Sequence, residues 1–179
     1  TEHVINCIHG EGIAVKDLDS DGDPDVIING FWYENTGDVV SDNGWTEHRF
    51  GEWHHSSSAA VGDINNDGLM DIVLTPSELQ GETYHIAWFE ASEGHADAGW
   101  TEHVIEKKVE TVYHSLKLGD MNQDGLLDVV TAEMHQGENP DEVMVYYNRN
   151  RGQSWEKQVL SERGTHLLQI GDIGSDGDL

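Results

Sequence analysis

"DLDSDGDPDVIING", residues 17–30, sets aspartate at every second position from Asp17 to Asp25 and then runs straight into apolar sequence. Carboxylates crowded this closely repel one another. Either a bound cation gathers them, or the stretch is a solvated loop that never orders. The stretch returns as "DINNDGLMDIV" at 63–73 and "DMNQDGLLDVV" at 120–130, and begins again as "DIGSDGDL" at 172–179. The leading aspartates are 46, 57 and 52 residues apart.

Two further elements keep the same phase. One is "TEHVI" at 1–5, "WTEHRF" at 45–50, "WTEHVI" at 100–105 and "WEKQVL" at 155–160. The other is "GFWYENTG" at 30–37, "HIAWFEAS" at 85–92 and "VMVYYNRN" at 143–150. β-Branched and aromatic residues with partial alternation predict strands, and no segment holds a 3.6-residue period. In the middle unit the predicted strands are "SAAVGD", "DIVLT", "HIAWFEA" and "WTEHVIE". Four strands in about 50 residues is the blade of a β-propeller, and a solenoid with shorter repeats is the alternative. The expected fold is all-β: an outer strand of a preceding blade at 1–8, blades at 9–52, 53–108 and 109–162, and the start of a truncated blade at 163–179. Three blades are fewer than the four to eight that close a propeller. The chain is therefore expected to be part of a larger ring, or a protomer that completes one with copies of itself.

The loop reads D-x-[DN]-x-D-G-x-x-D. Its side-chain oxygens are Asp17, Asp19, Asp21 and Asp25 in the first copy, Asp63, Asn65, Asp67 and Asp71 in the second, and Asp120, Asn122, Asp124 and Asp128 in the third. Position seven is Asp23, Leu69 and Leu126, a variation that suits a backbone carbonyl donor. Ca²⁺ takes six to eight hard oxygen ligands, which such a curled loop supplies. Mg²⁺ keeps more of its water, and zinc prefers nitrogen and sulfur, so both fit less well. An EF-hand needs Glu at position twelve between flanking helices. Here that position is Ile28, Leu74 or Thr131, inside apolar strands, so the EF-hand fails. In the fourth copy Gly174 stands where Asp or Asn is needed, and that loop is not expected to bind.

With nine basic residues against 35 acidic ones, the net charge is −26. That balance excludes phosphate-backbone binding and disfavours anionic membranes. Three divalent cations would leave about −20, an excess suited to solubility. The 36% hydrophobic content and six Trp fit a folded chain. The one cysteine, Cys7, forms no internal disulfide, and no apolar run reaches a membrane span. The chain begins at Thr1 and not at Met, which leaves open a secretory leader upstream.

The acidic loop between two strands, followed by "FWYENTG" and "VYYN", resembles FG-GAP/VCBS-type propeller repeats, and the integrin α-subunit propeller has similar calcium loops. The resemblance spans essentially the whole chain. It implies a ring of about seven blades, one Ca²⁺ per motif-bearing blade, and an extracellular, periplasmic or cell-surface setting. The literal Phe-Gly…Gly-Ala-Pro signature is absent, which places the chain nearer the VCBS branch.

If the strand before each loop is innermost, its other end opens at the far mouth of a central channel. "IHGEG" at 8–12, "WHHSSS" at 53–58, "VYHSL" at 112–116 and "GTHLL" at 164–168 lie there. Counted back from each loop, His9 and His55 share one register; Glu11, Ser57, His114 and His166 share the next. His9, Glu11, His55, His114 and His166 are candidate ligands for Zn²⁺ or another transition metal, or for a bound partner. Tyr113 and His114 are the candidate catalytic acid/base pair. The loop "MHQGENPDE" at 134–142 falls on the same predicted face, and Trp45, Trp100 and Trp155 recur in phase as packing residues. Two functions are open. One is a calcium-stiffened module whose far face binds a glycan or protein. The other is a sugar lyase or dehydratase similar in general plan to aldos-2-ulose dehydratase and the propeller-fold polysaccharide lyases.

Overall fold

The computed structural model describes residues 5, 7, 10–38, 40, 44–53, 56–93, 99–138, 140–177 and 179. Among the described residues there are twelve strands and no helix. The first sheet holds β1 (Ala14–Lys16), β2 (Asp25–Ile28), β3 (Phe31–Asn35) and β4 (Trp45–Arg49). The second holds β5 (Ser57–Gly62), β6 (Asp71–Pro76), β7 (Leu79–Glu90) and β8 (Thr101–Thr111). The third holds β9 (Tyr113–Gly119), β10 (Asp128–Glu133), β11 (Val143–Arg149) and β12 (Ser154–Ser161). In each sheet the strands lie in chain order and every neighbouring pair is antiparallel.

Register ties the acidic loops to the sheets. Lys16 faces Asp25, Gly62 faces Asp71 and Gly119 faces Asp128. Each loop therefore closes a hairpin whose last pair contains the ninth loop residue. The strands that follow are covered on both faces: Ile72, Val73 and Leu74 of β6 are fully buried, as an uninterrupted apolar run requires.

The sheets stack face to face through two cores. Leu18, Ile27, Trp32 and Phe50 of the first meet Ile72, Leu74, Ala87 and Phe89 of the second. On the other side, Ile64, Val73, Ile86 and Trp88 meet Tyr113, Leu116, Val129, Met144 and Tyr146 of the third. Burying each such aliphatic or Phe side chain contributes about 1.5–3 kcal/mol. Trp100 and Trp155 pack at the margins of these cores, as their phase suggested. Gly152 makes a close approach to the second sheet. Its carbonyl accepts the Trp88 Nε1–H at 3.3 Å, and a Cβ there would lie 2.5 Å from the Trp88 ring.

Two stretches differ from the sequence reading. The β7–β8 hairpin extends well beyond "HIAWFEA" and "WTEHVIE", because "LQGETY" and "EKKVET" pair as a largely solvated arm with shifted register. The described residues of 163–179 form no strand. They have backbone pairing only at Asp141 and Arg163 and around Glu133, and no adjoining strand completes a ladder there among the described residues.

Candidate functional site

Among the described residues, the four acidic loops share one turn geometry. Position four is left-handed in all of them, with φ of 65° at Ser20, 56° at Asn66, 60° at Gln123 and 56° at Ser175. Position six is left-handed too, at Gly22, Gly68, Gly125 and Gly177. A side chain at position six would carry a conformational penalty that glycine avoids. The paired left-handed residues turn the loop amides inward. Asp63 Oδ1 and Oδ2 accept the Asp67 and Gly68 N–H groups at 3.0 and 2.9 Å. Asp120 accepts those of Asp124 and Gly125 at 3.0 and 2.8 Å, and Asp172 those of Asp176 and Gly177 at 3.2 and 2.8 Å. The fourth copy thus makes the same turn despite Gly174. The position-seven residues serve as donors as well, since the Asp23, Leu69 and Leu126 N–H groups bond the carboxylates of Asp21, Asp67 and Asp124.

Oxygen atoms of Asp17, Asp19 and Asp21 come within 4.8 Å of one another. Asp17 Oδ1 is buried and accepts no hydrogen bond. Burial pushes the Asp19 carboxyl up, with Asp21, Glu34 and Asp17 adding repulsion against the Asp21 N–H, which lowers it. An orphaned oxygen among converging carboxylates fits a hard divalent cation.

The ninth residue is a different kind of group. Asp25, Asp71 and Asp128 are completely buried. Asp71 Oδ2 accepts the Ile64 N–H at 2.8 Å and Oδ1 the Ala91 N–H at 2.9 Å. Asp25 does the same with Leu18 and Asn35, and Asp128 with Met121 and Asn148. One carboxylate thereby joins the loop to the end of the sheet's third strand. Burial pushes Asp71 up to about 7, resisted by the Ala91 and Ile64 N–H groups and reinforced by Asp67 and Asp63. Burial raises Asp25 and Asp128 in the same way.

Sequence reasoning missed a cross-strand device beside the loops. Trp32 stacks on His48 at 4.4 Å between ring centroids, and His48 Nε2 lies 2.7 Å from Glu34. In the second sheet Trp88 stacks on His103 at 4.4 Å, and His103 Nε2 lies 2.6 Å from Glu90. Glu90 also accepts the Asn65 side-chain N–H at 3.0 Å, which connects the device to loop position three. The third sheet carries Val145, Gln158 and Tyr147 at these places, with the Tyr147 hydroxyl 2.8 Å from Gln158. Arg149 instead pairs with Asp124 at 3.2 Å there.

The face at the other end of the strands gathers Glu11, His114 and His166. Glu11, Glu78 and His114 present ligand atoms within 4.8 Å of one another. The His114 and His166 rings are 5.4 Å apart, and His135 is 4.9 Å from His166. His135 belongs to the loop 134–142 expected on this face, whereas Glu78 was not anticipated; it sits in a connection whose path the repeat pattern does not specify. His9 and His55 lie outside the described residues. Tyr113 and His114 are not brought together as an acid/base pair. Successive strand residues face opposite sides, and the Tyr113 hydroxyl points into the core, 3.1 Å from Glu133. Burial raises both that hydroxyl and the Glu133 carboxyl.

Residues 17–74, about a third of the chain, match the family described as FG-GAP-like repeat. The matched span runs from the first acidic loop through the first sheet and the second loop into β6. A comparison with curated proteins gives no match.

Proposed function

From a chain whose residues 17–74 match an FG-GAP-like repeat, and whose loop and strands recur twice more, we propose a calcium-stiffened β-propeller module. Each four-stranded sheet is one blade of a larger ring. The first three acidic loops each hold one Ca²⁺ through residues at positions one, three, five and nine and the position-seven carbonyl. The observation that carries this reading is the buried Asp17 Oδ1, orphaned where the Asp17, Asp19 and Asp21 oxygens converge. When bound, the ion supplies the positive charge that these carboxylates lack. The chain's own residues curl the loop, orient the carboxylates and clamp the ninth one to the sheet.

The ring reading draws support from both ends of the stack. Ile13 and Val15 are exposed beside the first sheet, and an apolar cleft of about 300 Å³ beside the third is lined by Val130, Leu160, Leu168 and Ile170. Faces of this kind suit further blades. The far face binds a glycan or protein ligand, in an extracellular, periplasmic or cell-surface setting. The alternative of a sugar lyase or dehydratase would need a pair other than Tyr113 and His114, because the tyrosine hydroxyl is in the core.

Thermal unfolding with excess Ca²⁺ and with EDTA tests the module. Saturating a site at about 100 times its Kd adds roughly 2.7 kcal/mol, so a Tm rise of several degrees is expected. Equal midpoints in Ca²⁺ and EDTA would reject the proposal.

A further inference from the structure

The face away from the acidic loops carries a second set of ligand-type side chains with different chemistry. His114 lies six residues before Asp120, so roughly 20 Å of strand separates it from the third loop. Three separate parts of the chain supply the donors: Glu11 ahead of β1, Glu78 in the β6–β7 turn, and His114 on β9. Hydrogen bonds to the backbone fix each part. The Gly12 N–H reaches Ser57 O at 2.8 Å, the Ser77 N–H reaches Ser56 O at 2.9 Å, and Ser58 Oγ reaches Tyr113 O at 3.3 Å.

His114 Nε2 is buried and lies 2.7 Å from Glu78 Oε1, yet outside hydrogen-bonding geometry. Its partner is therefore close in distance and wrong in direction. Two ligands of one ion have that relation. Around a first-row divalent ion with bonds of about 2.0–2.2 Å, neighbouring donor atoms sit roughly 3–4 Å apart. The three donors here, all within 4.8 Å of one another, need only a small adjustment. Two carboxylates balance a divalent charge, which leaves the neutral imidazole as the third ligand.

The geometry points to a transition-metal site, for Zn²⁺ or a similar first-row divalent ion, held by Glu11, Glu78 and His114. An imidazole among the donors selects such an ion over Ca²⁺, which prefers oxygen alone. His166 and His135 stand behind His114 as further imidazoles. The Thr165 N–H on Glu133 O and the Met134 N–H on Val112 O hold their two segments in place. A three-ligand site leaves coordination positions open for water or for an oxygen ligand on this face. The site is independent of the acidic loops and stands or falls apart from them.

Titration of Ca²⁺-saturated protein with Co²⁺, followed by visible absorption and then by displacement with Zn²⁺, reads the site directly. One equivalent of Co²⁺ is expected to give d–d bands that Zn²⁺ abolishes. Glu78→Gln and His114→Ala each weaken Co²⁺ binding at least tenfold. Glu78 is exposed, so its variant keeps the fold if the histidine variant does not. His85→Ala, which removes a surface imidazole paired with Glu102 at 2.6 Å, leaves the bands unchanged. No bands with wild-type protein, bands that persist in Glu78→Gln, or bands that excess Ca²⁺ removes would each overturn the proposal.

Discussion

Asp71 shows how one residue carries both the fold and the chemistry of its loop. Its two oxygens hold two backbone amides, one in the loop and one at the end of the third strand, in a place that solvent does not reach. Its carboxyl is pushed from 3.8 to about 7 in the folded chain, mainly by burial. Without a cation the folded state then binds more protons than the unfolded state between those two values. Stability therefore falls as pH rises from about 4 to about 7, and Asp25 and Asp128 contribute with the same sign. A divalent ion favours the carboxylate and reverses the dependence. Urea midpoints in EDTA should be higher at about pH 5 than at about pH 7.5, and Asp71→Asn should flatten the slope. A midpoint in EDTA that climbs over that interval would contradict the account. At this scale the sequence was informative wherever residue identity repeats. The donor positions and the glycine at position six were readable from the motif. The left-handed residue at position four was not, because Ser20, Asn66 and Gln123 share no side-chain signature. Nor was the double clamp by the ninth aspartate, whose partners Ala91 and Asn148 lie 20 residues downstream.

Among the elements, the third strand of the second sheet both packs on the third sheet and braces its own loop. Trp88 spans both tasks. One edge of its ring rests on Gly152 of the third sheet, and its face stacks on His103. Gly152 has φ of 79° and no space for a methyl group. Gly152→Ala should cost about 1–3 kcal/mol in chemical denaturation, and an unchanged midpoint would show that the Trp88 contact yields freely. Glu90 links that stack to Asn65. Glu90→Gln should keep the fold but weaken Ca²⁺ binding at the second loop several-fold, as calorimetry would register, with the other loops unaffected. The four strands of each sheet were legible because each repeat keeps its own order of loop, apolar run and Trp-led strand. The Trp–His–Glu device was not, since its members meet across a hairpin and the third sheet substitutes Val145, Gln158 and Tyr147. Glu78 escaped notice for a related reason: the long β7–β8 arm sets where its turn lies.

Over the whole molecule, chemistry divides between the two ends of the strands. At one end carboxylate oxygens gather in an acidic loop that occurs four times; at the other, imidazoles and glutamates from different sheets converge once. The net charge of −26 pervades both, and cations at the loops would relieve part of it where the acids are densest. The face-to-face stacking of three four-stranded sheets realises the all-β repeat expected from the sequence. The measurement closest to the central claim is the amount of calcium retained after equilibrium dialysis, counted by elemental analysis for the intact chain and for one with Asp17, Asp63 and Asp120 changed to Ala. The account predicts about three Ca²⁺ per intact chain, one per complete loop, and essentially none in the triple variant. An intact chain that retains no calcium, or a triple variant that retains as much, would contradict it.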